Sequence, residues 1–279
     1  MDAKAFFRAG QLDAAVAAAT EAVKHSPTDS RARAFLAELL CFCGEFGRAD
    51  KQLDALGAQS PDAGVGIVLM RQLIRAETAR QECFTQGRLP EFFVEPPPWL
   101  HLHLEAAIAL REDDPGEAAV MLEEAMSLRP ALSGICNGKP FDVACDTDDL
   151  TAPFFEVLTG NGKCYWLPME HVERIDFRAP THAVDLLWRS ATVSVRGGPE
   201  GEVFLPVLYA GSHASDDPAI RLGRKTDWIG GDGPPARGLG QRVYIFGDAE
   251  LAILEIEQVR FDQVPAPGEQ PRETNDAGR

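Results

Sequence analysis

The sequence predicts an α+β protein of two domains: a tetratricopeptide-like helical solenoid over residues 1–132, then a small antiparallel β-rich domain, partly closed like a barrel, over 133–264. Three observations predict it. Gly10, Ala15, Ala22 and Pro27 recur with the same spacing as Gly44, Ala49, Leu56 and Pro61, a shift of 34 residues that is the period of a tetratricopeptide helix pair. Ala118, Ala125 and Pro130 form a third copy, 69 residues beyond the second and close to two periods on. Near residue 133 the helical pattern gives way to short apolar runs rich in β-branched and aromatic residues, separated by Gly, Pro and Asp, which is the pattern of antiparallel strands.

Periodicity and punctuation place the elements in order. Residues 11–25 align Leu12, Ala15, Val16, Ala19, Ala22 and Val23 on one stripe, closed by Ser26-Pro27. Residues 30–42 bury Phe35, Leu36, Leu39, Leu40 and Phe42 before the turn at Gly44. Between the second and third copies, residues 63–98 read as a worn repeat with Cys83 at its small position and Pro90 where its second helix would run. Its first helix, about 64–86, is expected to be the spine of the half, and its second to be broken by the prolines of PEFFVEPPPW. Pro98 suits the first turn of a helix over 99–111. SGICNGKP reads as a turn-rich bridge, and strands are expected over 154–159, 164–168, 171–178, 186–196, 203–210, 242–247 and 251–261. Asn161-Gly162 and Gly247-Asp248 supply hairpin turns. Residues 265–279, PAPGEQPRETNDAGR, lack an apolar stripe and are expected to be a disordered tail.

Composition narrows the function classes. The net charge of -16 is spread over the chain, 20 acids against 13 bases in residues 1–130 and 20 against 12 in residues 131–264, which disfavours nucleic acid and anionic membranes as partners. No apolar run approaches the roughly 20 residues that span a bilayer, and MDAKAFFRAG lacks the features of a signal peptide, so a cytoplasmic location is expected. Six cysteines without paired C-x-x-C spacing read as reduced, buried thiols, with neither metal nor cofactor expected.

Two segments are candidates for binding a protein partner. Stacked helix pairs leave a concave groove in which an amphipathic helix can lay its apolar side, and exposed aromatics are its expected anchors. Phe6, Phe7, Phe92, Phe93 and Trp99 sit at helix ends or in the proline-rich link, where they would line the groove or plug an interface. In RLGRKTDW, Arg221, Arg224, Asp227 and Trp228 could form a polar surface, a guanidinium stacked on the indole and Asp227 fixing an arginine. In the competing reading Trp228 covers the end of the sheet and the arginines satisfy loop carbonyls.

Enzymatic alternatives are weaker. Ser212, His213, Asp216 and Asp217, and His182 with Asp185, include the residue types of a hydrolytic triad or metal centre, but no G-x-S-x-G or H-E-x-x-H pattern accompanies them. His101 and His103, two apart, point to different faces of a helix. Gly230, Gly231, Gly233, Gly238 and Gly240 lack the GK[ST] ending of a phosphate loop and read as turns.

The stretches WLPMEHVERIDF, DLLWRSATVSV, FLPVLYAGS, RLGRKTDW and GLGQRVYIFGDAELAILEIEQVRF follow in this order after a helical half containing RAETARQECFTQGRLPEFF. Taken together they resemble the ImpE family, also called SciE or TagJ, over roughly residues 5–262. The resemblance implies a non-enzymatic cytoplasmic accessory protein of the bacterial type VI secretion system. It implies binding to the N-terminal helix of the small contractile-sheath subunit and a link to the ATPase that disassembles the sheath. A general tetratricopeptide chaperone or adaptor for another protein partner would share the same groove. One departure is visible: where the family pattern runs Asp-x-Asp-Asp-Arg, Asp146, Asp148 and Asp149 are followed by Leu150. Without that arginine the acids are expected to form a solvated loop capping a strand.

Overall fold

The repeated glycines end helices. In a computed structural model that describes residues 2–59, 64–231 and 233–263, α1 (Ala3–Arg8) stops at Gly10 and α3 (Ser30–Phe42) at Gly44. Both glycines have positive φ, 79° and 68°. At each, paired backbone bonds close the helix: Gly10 N–H to Phe7 and Gln11 N–H to Phe6, then Gly44 N–H to Cys41 and Glu45 N–H to Leu40. This is the Schellman arrangement, whose left-handed residue favours glycine. The helices α2 (Leu12–His25) and α4 (Phe46–Gln59) follow, completing two helix pairs.

The small position of each copy does what close helix packing requires. Ala15, Ala49 and Ala118 are all fully buried. The second position holds in two copies, where Leu56 and Ala125 are buried, but Ala22 is exposed. Helix α1 has only six residues, so the last turns of α2 outrun their partner and the buried stripe of α2 ends at Ala19. Pro61 lies outside the described residues, as do residues 265–279.

The worn repeat has one helix, the 22-residue α5 (Gly64–Thr85). In place of its second helix the chain runs extended, and Glu91 pairs with the edge of the sheet, its N–H donating to Cys164 at 2.9 Å and its carbonyl accepting from Trp166 at 3.2 Å. Helices α6 (Pro98–Arg111) and α7 (Pro115–Leu128) form the third pair, with Pro98 in the first turn of α6 and Asp114 capping α7.

Among the described residues thirteen strands follow, and every ladder between them is antiparallel. They are β1 (Gly134–Cys136), β2 (Lys139–Phe141), β3 (Ala144–Asp146), β4 (Phe154–Leu158), β5 (Cys164–Pro168), β6 (Val172–Phe177), β7 (Trp188–Val195) and β8 (Glu200–Pro206). The short helix α8 (Pro218–Arg221) precedes β9 (Thr226–Ile229), β10 (Arg237–Gly240), β11 (Val243–Phe246), β12 (Ala249–Ala252) and β13 (Gln258–Phe261). Eight strands form one curled sheet in the order β2-β1-β13-β6-β7-β8-β4-β5, left open between β2 and β5; β12-β11-β3 and β10-β9 form two smaller sheets.

The bridge SGICNGKP is a hairpin rather than a linker. Asn137 and Gly138 both have positive φ, 48° and 78°, the requirement of a type I′ turn, and β1 pairs with β2 across them. The expected strand 251–261 is interrupted by a 3-10 turn over Ile253–Glu255. Gly238 and Gly240 lie in β10 rather than in turns, with the Tyr209 ring packed over Gly238. A continuous buried cluster runs from Leu12, Leu40 and Ile74 in the helices to Phe155, Trp188, Val207 and Phe261 in the sheet, so the two halves pack on a common core.

His103 on α6 is buried between Trp99 and Phe154, its Nδ1 2.8 Å from the Leu150 carbonyl, to which it donates. Burial, opposed by that hydrogen bond, lowers its pKa from 6.5 to about 4. The folded protein therefore keeps it neutral while the unfolded chain takes up a proton between those values. Stability from this group is complete above pH 6.5 and falls by ~3 kcal/mol on going to pH 4. Chemical denaturation across that range should show a shallower fall for His103→Gln than for the unsubstituted chain; equal slopes would contradict the assignment.

Candidate functional site

The helices are joined to the sheet by a buried cluster of charges. Glu77 and Arg80 lie on the face of α5 that also carries Ala76, Ala79 and Cys83, all buried. Arg80 donates to Glu77 (2.9 Å), to Glu156 on β4 (2.9 Å) and to the Leu208 carbonyl (2.9 Å). Glu156 also pairs with Arg242, whose other nitrogen donates to Asp146 at 2.6 Å. The indole of Trp188 on β7 donates to Glu77 at 3.0 Å. Burial opposes the ionised form of Glu156, but the guanidiniums of Arg80 and Arg242 outweigh it and hold its pKa down. For Asp146 burial dominates the pull of Arg242, and its pKa rises to about 6.

A second set of contacts ties the β half to the N-terminal helices. Arg224 donates to the Phe7 carbonyl at 2.8 Å and to the Arg8 carbonyl at 3.0 Å. These carbonyls lie at the C-terminal end of α1, the negative end of the helix dipole, which attracts a cation. Arg221 pairs with Asp13 in the first turn of α2 at 2.8 Å. The His213 ring lies against Gly44, so close that a Cβ there would stand 2.3 Å from it, and meets Phe46 edge-on at 6.3 Å. Both repeated glycines thus seat a side chain of the β half, Arg224 at Gly10 and His213 at Gly44.

Between α1, α3 and the segment 180–186 lies an open cleft of about 730 Å³. Its floor is apolar: Phe7, Ala34, Phe35, Ala183 and Leu186, with Phe7 meeting Phe35 edge-on at 5.9 Å. Its rim holds the cations Lys4, Arg8 and Arg31, all exposed, against the single carboxylate of Glu38. Lys4 sits over the Phe35 ring at 5.8 Å. In a chain of net charge -16, three cations around an apolar floor are a local reversal of sign.

The structure disperses the other sequence-derived candidates. Phe6 is half-buried against the common core and does not line the cleft. Phe93 stacks on Tyr165 at 4.0 Å, and Phe92 packs against the cluster of Trp99, Phe154 and Trp166. Trp99 is no exposed anchor: it is 3% exposed, and its indole reaches Glu170. Asp227 does not fix an arginine but pairs with Lys225 at 3.0 Å, and Trp228 packs on Tyr209 rather than under a guanidinium. Asp146 and Asp148 are not a solvated loop; they are 2% and 1% exposed. The arginines that neutralise them come from far along the chain, Arg242 for Asp146 and Arg237 for Asp148 at 2.9 Å. Leu150, in place of the expected arginine, is buried against Ala106 and Ala118.

The residues of the enzymatic reading are committed to structure. Ser212 is buried, donating to the Tyr209 carbonyl and accepting from the Gly240 N–H, and among the described residues no hydrogen bond joins it to His213. Asp217 caps α8, and Asp185 accepts from the N–H groups of Thr181 and His182. His101 is exposed while His103 is buried. Among the described residues no group of three or more His, Cys, Asp or Glu side chains gathers as a metal site, and all six cysteines are free. No described helix is long and apolar enough to cross a membrane.

A tetratricopeptide-type helical array welded to an open antiparallel sheet, with an apolar cleft at the junction, defines a scaffold for protein partners. Comparison with known proteins gives the family. The tetratricopeptide repeat family matches residues 6–65 and the ImpE protein family residues 138–260. The type VI secretion system accessory component TagJ of Pseudomonas aeruginosa is 32% identical over 267 residues, covering 95% of this chain and 93% of that protein. A crystal structure of a Vibrio parahaemolyticus protein superposes with a TM-score of 0.87 at 26% identity, covering 93% of this chain and 97% of the other. The chain belongs to the ImpE/TagJ family of type VI secretion accessory proteins.

Two outcomes follow from the site. Arg242→Met would leave Asp146 without its cation and Glu156 with Arg80 alone, and should cost about 3–5 kcal/mol in denaturant unfolding; a loss under about 1 kcal/mol would show that the cluster does not hold the halves together. Arg224→Met should speed amide exchange across residues 3–8 while leaving α5 unchanged, and equal protection of α1 in both proteins would remove its capping role.

Proposed function

We propose that this chain is a non-catalytic, cytoplasmic adaptor of type VI secretion whose junction cleft receives the N-terminal helix of the small contractile-sheath subunit. Through that grip it would link the sheath to the ATPase that disassembles it. The observation that carries the reading is the cleft itself, an apolar floor of Phe7, Phe35 and Leu186 rimmed by Lys4, Arg8 and Arg31. An amphipathic helix presents apolar side chains at i, i+3, i+4 and i+7, which suits such a floor, and acidic residues flanking that stripe would meet the cations. The family supplies the setting, and the contact with the sheath subunit rests on the resemblance to it.

Contacts behind each wall hold the cleft in shape for such a guest. Arg224 fixes the end of α1 and so the position of Phe7, while Asp185 caps the turn that carries Ala183 and Leu186. Both walls are therefore held by hydrogen bonds to the backbone, which leave the side chains of Phe7, Phe35 and Leu186 free to face the cleft.

Fluorescence anisotropy with a labelled peptide of the sheath subunit's N-terminal helix tests this reading. Binding should exceed that of a scrambled peptide, and Phe35→Asp or the pair Arg8→Glu with Arg31→Glu should weaken it by about tenfold or more. No preference over the scrambled peptide would end the sheath reading, and undiminished binding to both variants would move the site elsewhere.

A further inference from the structure

The α6–α7 hairpin carries a second surface of opposite charge, on elements that do not contribute to the junction cleft. Its outward stripe on α6 runs through Glu105, Ile108 and Glu112, and on α7 through Glu117, Val120, Glu124 and Leu128, residues three or four apart and so on one face of each helix. All are exposed, the aliphatics notably so: Ile108 at 44%, Val120 at 64% and Leu128 at 55%. The antiparallel course of a hairpin turned at 112–114 sets Ile108 level with Val120 and Glu105 level with Glu124.

None of these four carboxylates takes part in a salt bridge among the described residues. Asp113 and Asp114 add to the same end of the hairpin. The one base in residues 105–128, Arg111, is turned inward, donating to the carbonyls of Cys83 and Ala107. The seam is therefore negative without internal compensation, and aliphatic where it is level. In a helical array the terminal pair normally ends in a polar face, because no further repeat covers it. Here that face keeps the aliphatic stripe that a following helix would bury.

We propose that the α6–α7 seam docks a basic amphipathic helix from a partner protein, stacked as the next helix of the solenoid would be. Its aliphatic stripe covers Ile108, Val120 and Leu128, and lysines or arginines on its flanks meet Glu105, Glu112, Glu117 and Glu124. A second copy of this chain is a poor occupant, since both copies carry a net charge of -16 and like charges repel. The proposal is independent of the junction cleft, whose rim is basic, and the two succeed or fail separately.

The test uses a designed helix of about 18 residues with leucines on one stripe and lysines elsewhere, titrated by anisotropy into the full chain at physiological salt. A peptide of the same composition with the leucines scrambled off the stripe serves as comparison. The variant Glu105→Gln, Glu117→Gln, Glu124→Gln and the variant Ile108→Ser, Val120→Ser should each lose about tenfold or more in affinity. A control removing three unpaired acids elsewhere, Glu200→Gln, Asp248→Asn and Glu250→Gln, should change it less than about twofold. Every substituted side chain is exposed, and thermal melts of each variant check that the fold is kept. Three results overturn the proposal: no binding, equal binding of the scrambled peptide, or an equal loss in the control, the last two meaning attraction by net charge alone.

Discussion

Everything in this fold turns on Glu156, a carboxylate with no access to water, held between the guanidiniums of Arg80 from the helices and Arg242 from the sheet. A buried carboxylate flanked by two arginines is tolerable only when all three are present, because each alone would be an unpaired charge in an apolar interior. Arg80 can reach β4 only if α5 lies across the sheet, and Arg242 can reach both Glu156 and Asp146 only if β11 runs beside them. The cluster therefore specifies one docking of helices on sheet. Replacing it with apolar residues of similar volume could preserve stability, but would remove the directional constraint.

The junction cleft is a consequence of that docking. Once α5 is fixed, the segment after β8 is placed over the ends of α1 and α3, where Arg224 and His213 enter the spaces that Gly10 and Gly44 leave. The 34-residue repeat thus encodes two things with one residue type. Each glycine ends its helix in a left-handed conformation, and each also leaves room for a side chain from the other half of the molecule.

The helical half was legible because its information is local. Spacing of small residues, prolines and apolar stripes placed α2 and α3, the single helix of the worn repeat and the Pro98 start of α6. The β half was legible as strands but not as a sheet, since neither the order β2-β1-β13-β6-β7-β8-β4-β5 nor the buried charges leave a local mark. Asp146 and Asp148 looked like a solvated loop because the arginines that neutralise them lie about 90 residues downstream. The buried charges of α5 do leave one local trace: Glu77 and Arg80 sit among Ala76, Ala79 and Cys83, and charges framed by small residues on one helical face indicate a face that is covered. Asn137-Gly138 carries the same hairpin dipeptide as Asn161-Gly162. For the cleft, sequence singled out Phe7 but not Phe35 or the cations around them, because α1, α3 and the segment 180–186 meet only through tertiary packing.

The charge cluster makes α5 and the sheet one cooperative unit. Native-state hydrogen exchange at low denaturant tests it most directly, by comparing the opening free energies of amides in α5 with those in β4 and β11. A common value is expected, with all three elements becoming accessible together. An α5 that opens at markedly lower free energy while β4 and β11 stay protected would contradict it.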